Sequence, residues 1–93
     1  MEENNVIEDN QEKVTLTDQD EKMLKLIDLL ITVGMISTKK EFADTVGMHK
    51  QGISLIMNGK QSFTVNHINT VCKKFNVNAN WIFGTEPNVF RKV

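Results

Sequence analysis

A chain of 93 residues allows one domain of ordinary size. It is 40% apolar and 25% charged, enough for a small core, while five glycines and one proline argue against a turn-rich β architecture. One cysteine excludes a disulfide framework, two separated histidines offer no zinc cluster, and no apolar run approaches the ~18 residues of a membrane span. The net charge of −1 hides a division. Residues 1–37 hold nine acids and three lysines, a net of −6, whereas residues 38–93 hold eight bases and three acids, a net of +5. Such asymmetry points to an electrostatic footprint in the basic half.

Residues 1–16 are acidic and polar, with too few hydrophobes to offset chain entropy, and are expected to form a disordered tail. Their composition is the opposite of a signal peptide, so a soluble, cytoplasmic protein is expected. The first helix starts at Thr17, an N-cap followed by Asp18, Asp20 and Glu21, which suit the positive end of the helix dipole. Met23, Leu24, Ile27, Leu30 and Ile31 form its apolar stripe, and Gly34 stops it. Leu26, Leu29 and Val33 widen that stripe beyond the needs of one neighbouring layer.

Thr38 and Glu41 have capping-box spacing at the start of a second helix, which continues through Phe42, Ala43 and Val46 to Gly47. A third helix follows after only Met48 and His49, carries Ile53 and Ile56 inward, and stops at Asn58-Gly59. So short a joint forces the two helices to cross steeply, as in a helix-turn-helix. Ala43 must then be small, and Gly47 must supply the turn. A fourth helix follows Thr64 with Ile68, Val71, Cys72 and Phe75 inward, Cys72 being read as a small buried hydrophobe. A short fifth helix, Ala79 to Phe83, is capped by Asn78, with Val77 and Ile82 spaced as a hydrophobic staple. The expected organisation is an acidic tail at 1–16, a helical domain at 17–84 and a C-terminal tail at 85–93.

With Ile53 and Ile56 inward, helix geometry turns Lys50, Gln51, Ser54 and Leu55 outward. The stretch from Thr38 to Lys60 resembles the XRE/Cro-like family of lambda-repressor-type DNA-binding domains, and the resemblance extends over roughly residues 20 to 84, ending in Asn80-Trp81-Ile82-Phe83-Gly84. It implies an all-α, compact five-helix bundle with the helix-turn-helix at helices 2 and 3, binding double-stranded operator DNA as a homodimer. It also implies that Lys50, Gln51, Ser54 and Leu55 face the major groove. Gln51 suits adenine, Lys50 guanine, and Leu55 a thymine methyl, while Ser54 tolerates base or phosphate. Lys39, His49, Asn58 and Lys60 are the phosphate candidates; His49 is read first as a helix cap, and Asn58-Gly59 serves C-capping as well.

Departures from the family pattern are Gly52 within the reading helix, costing ~1 kcal/mol against Ala and removing a side chain from the interface, Met57 where charge is common, and no arginine in that helix. These features predict weaker or more salt-sensitive binding than a strongly basic repressor shows. The function implied is a bacterial or prophage repressor. The alternatives are an antitoxin, with the acidic tail as the segment that engages a protein partner, and a protein-interaction adaptor on the same fold. No cofactor or metal is expected, and no nucleophile, base and orienting group can be assembled into an enzyme. Surplus apolar residues on helix 1 and at Trp81, Phe83, Val89 and Phe90 predict a homodimer. The competing arrangement folds Val89 and Phe90 back over Leu29 and Val33 within one chain.

Overall fold

A computed structural model describes residues 15–92. The tail expected at 1–16 therefore lies, up to residue 14, outside the described residues. Five helices follow one another: α1 (Asp18–Thr32), α2 (Lys39–Val46), α3 (Lys50–Met57), α4 (Val65–Phe75) and α5 (Ala79–Ile82). The fold is all-α, as the periodicity requires, and α5 ends one residue before Phe83, which becomes its C-cap.

The caps explain the boundaries. Thr17 Oγ1 accepts the Asp20 N–H, and Thr38 Oγ1 accepts the Glu41 N–H. The Glu41 carboxylate, however, takes the N–H of Ser37 at 2.7 Å instead of the N–H of Thr38, so the expected capping box is displaced by one residue. A reciprocal box does form at α4, where Thr64 Oγ1 accepts from His67 and His67 Nδ1 accepts from the Thr64 N–H. Histidine performs there what Glu or Gln commonly does.

The core joins all five helices. α1 packs on α5, and α2 packs on α3 and α4. Phe42 is its centre, meeting Phe63 edge-on and Phe75 face-on, both at 6.4 Å between ring centroids. Leu26, read from the sequence as surplus, is fully buried with Met23, Ile27 and Leu30. α1 packs on α5 with one part of this wide stripe, while Leu24 and Ile27 on another part border a hollow with Lys39, Ile53 and Met57 of α2 and α3. Cys72 is half-buried, and burial raises its thiol above the ordinary cysteine value while Arg91 partly opposes the rise.

The C-terminal residues turn back on the bundle. Asn78 N–H donates to Val89 O at 2.8 Å, Arg91 N–H donates to Asn76 O at 2.9 Å, and Val77 and Phe90 form an isolated antiparallel bridge. Asn76 sits in the left-handed region at φ 56° and ends α4. Its side chain accepts from Arg91 Nε at 2.9 Å and donates to Arg91 O at 3.2 Å, so one residue both turns the chain and grips its return. Val89 and Phe90 are half-buried against the core, and Phe90 shares a hollow with Val33, Met35 and Phe75. Trp81 is half-covered too, with Lys22 Nζ 4.8 Å above its ring. Of the apolar surplus expected at this end, Phe83 alone stays about half exposed.

Candidate nucleic-acid interface

The joint between α2 and α3 is three residues long. Gly47 takes φ 78°, a conformation that opposes a Cβ, and the N–H groups of Gly47 and Met48 close back on the carbonyls of Asp44 and Ala43. Met48 is buried, which draws the chain inward before His49 begins the next helix. His49 Nδ1 accepts the Gln51 N–H at 3.3 Å. Its cap role is thus visible in the geometry, and the ring must be uncharged to fill it.

A helix turns ~100° per residue. Gly52, Ile53 and Ile56 fall on one arc of α3 and are buried, whereas Lys50, Gln51, Ser54, Leu55 and Met57 lie on the remainder and are exposed. Leu55 and Met57 are 40% and 46% exposed and so add apolar area to this outward face. Among the described residues, no hydrogen bond engages the side chains of Lys50, Gln51, Ser54 or Asn58. The outward face therefore carries uncommitted donors and acceptors.

Gly52 has a different meaning from the one its sequence position suggests. It is buried, so a side chain there would point into the protein and not across the interface. A Cβ would come within 2.8 Å of Met48 Cε and 3.8 Å of Gln61 Nε2. The glycine lets Met48 pack beneath α3, which offsets the ~1 kcal/mol of helix propensity it gives up.

Two further lysines lie next to α3 in space or in sequence. Lys39 opens α2 and shares a hollow with Asp28, Ile53 and Met57, so it flanks the C-terminal half of α3. Asn58 is the C-cap of α3 and Lys60 follows it, both exposed. Lys40 pairs with Asp44 at 3.0 Å on the exposed side of α2, a pair of little energetic weight. Lys39, Lys50 and Lys60 enter no ion pair among the described residues. Gln61, overlooked in the sequence because it lies beyond the helix stop, is exposed and rests beside the N-terminal half of α3. What reveals it is that a Cβ added at Gly52 would lie 3.8 Å from its Nε2.

Among the described residues no group of three or more His, Cys, Asp or Glu converges on a metal position, and no helix is long and apolar enough to cross a membrane. Two short helices joined by a tight glycine turn, the second offering a free polar face, define the helix-turn-helix class of DNA-binding domain. Residues 37–82 match the family model described as Helix-turn-helix. Residues 37–82 thus form a helix-turn-helix domain of the XRE/lambda-repressor-like family, a family of DNA-binding transcription regulators that are not typically enzymes. Neither curated proteins nor solved structures give a match.

Proposed function

We infer that the protein is a sequence-specific repressor that reads the major groove with α3. The observation carrying this reading is the division of α3: Gly52, Ile53 and Ile56 inside, and Lys50, Gln51, Ser54 and Leu55 outside with uncommitted polar groups. Residues near the start of α3 reach base edges in this docking mode, so Lys50 and Gln51 contact bases, with Ser54 and Leu55 beside them. Lys39, Asn58 and Lys60 contact phosphates and fix register. His49 donates to phosphate through Nε2 while Nδ1 caps the helix. Gln61 adds a further polar group at the edge of the same face.

The repressor acts as a homodimer. Support comes from the hollow between α4 and α5, where Val65 is 81% and Phe83 49% exposed beside Ile68, Cys72 and Ala79. Covering these side chains against a second copy removes apolar surface from water. A two-fold pair would place two copies of α3 ~34–36 Å apart, one turn of DNA.

Selection of bound sequences from a random DNA pool tests the reading, with Gln51→Ala in parallel. The wild type should enrich a two-fold symmetric site. The variant should lose about 1–3 kcal/mol on it and relax the preference at one base pair per half-site. Enrichment of no sequence at low salt would refute sequence-specific repression.

A further inference from the structure

Seven acids lie among the described residues, and six of them have a structural task. Asp18 and Glu21 stand in the first turn of α1, at the positive end of its dipole. Asp20 accepts the Phe63 N–H, Glu41 accepts the Ser37 N–H, Asp44 pairs with Lys40, and Glu86 accepts from Asn78 Nδ2. Asp28 is different. It lies far along α1 from that positive end, and it is exposed. The one side chain that bonds to it among the described residues, Thr32 through Oγ1 at 2.9 Å, reaches its backbone carbonyl and not its carboxylate. Neither capping nor packing accounts for an acid at this position.

What Asp28 does border is the hollow between α1, α2 and α3, which it lines together with Lys39 and Met57. The space is only about 60 Å³, so the groups at its rim are near neighbours. The Asp28 carboxylate and the Lys39 ammonium nevertheless stop short of the 4.0 Å of an ion pair. The carboxylate thus adds negative potential beside Lys39 without fastening it. Resting on the reading of Lys39 as a phosphate contact, we propose that Asp28 is a built-in counter-charge that weakens the hold of Lys39 on the DNA backbone. A phosphate that approaches Lys39 comes into the field of Asp28 and is repelled, while the ammonium is drawn to both anions. Phosphates are the same in every sequence, so Asp28 lowers the affinity for all DNA by one factor and leaves base preference untouched. α1, otherwise a core helix, thereby takes part in setting how tightly the domain binds.

Affinity for a mixed-sequence duplex, measured on the full chain, tests this. Asp28→Asn keeps the shape of the side chain and removes its charge. It should bind about threefold more tightly than the wild type at low salt, and the gain should fall to within ~1.5-fold once salt screens the charges. Glu21→Gln removes an equal charge from the same helix outside the hollow and should shift affinity by less than ~1.5-fold. Lys39→Ala should weaken binding, and adding Asp28→Asn to it should return less than ~1.5-fold, because the two residues act on one phosphate. No gain from Asp28→Asn, an equal gain from Glu21→Gln, or the same gain with and without Lys39 would each overturn the proposal. Where Lys39→Ala still weakens binding, those results leave the phosphate contact itself standing. A Lys39→Ala protein that binds as the wild type does would overturn the counter-charge and the phosphate contact together.

Discussion

Asp20 and Gly52 show how much a single residue's meaning depends on what it touches. Asp20 reads in the sequence as one of three acids favouring a helix start, yet its carboxylate is buried and receives a backbone N–H from 43 residues away. Asp20→Ala leaves the Phe63 N–H unpartnered and should cost about 1–3 kcal/mol in chemical denaturation. Asp20→Asn, which keeps an acceptor oxygen, should recover a substantial part. Gly52 needs a different measurement because two effects oppose each other. A methyl group at Gly52 gains helix propensity and displaces Met48 Cε. In a double-mutant cycle, Gly52→Ala should be more favourable by roughly 1 kcal/mol when Met48 is Ala than in the wild type. Equal effects in the two backgrounds would show that the methionine does not set the glycine.

At the scale of elements, the ends of helices were more legible than their surroundings. Thr17, Thr38, Thr64 and Asn78 all cap as their residue types suggest, because a cap is decided within four residues. The outward set on α3 was readable for the same reason: its period needs no distant partner. What escaped was whatever depended on distance in sequence or on an uncommon residue, such as His67 closing a capping box or Asn76 ending α4 with positive φ. Asn76 yields an ordered prediction. Asn76→Gly keeps the backbone conformation and loses the side-chain grip on Arg91; Asn76→Ala loses the grip and adds about 1–2 kcal/mol of left-handed strain. Thermal unfolding should therefore rank the proteins Asn, then Gly, then Ala. An alanine variant as stable as the glycine variant would remove the conformational argument.

For the whole molecule, the lysine face makes a prediction about salt. Lys39→Ala and Lys60→Ala should weaken binding to all sequences about equally and lower the salt slope by about one each. A loss restricted to one sequence would move these lysines from phosphates to bases. Arg91, the chain's one arginine, is held by Asn76 at the tail, so α3 offers the single ammonium of Lys50 and no planar fork for guanine. The apolar balance sets the expectation for assembly. Leu26 is spent in the core and Trp81, Val89 and Phe90 are half-covered within the chain, which leaves Val65 and Phe83 as the main exposed pair near α5. Sedimentation at tens of micromolar should find a dimer that Phe83→Lys or Val65→Lys converts to monomer; a wild-type monomer with and without DNA would refute the dimer.

The Asp20–Phe63 hydrogen bond also has a temporal side. It closes a loop that contains all of α2 and α3, so the helix-turn-helix lies between the two ends of one long-range contact. Closing some 43 residues costs about 3 kcal/mol in chain entropy before constants, more than one hydrogen bond returns. Burial of Phe63 against Phe42 must supply the difference. On a ribosome, the order of synthesis then matters. α1, α2 and α3 are all made before the residue that fastens them, so α3 reaches its final setting only after the chain has grown past it to Phe63.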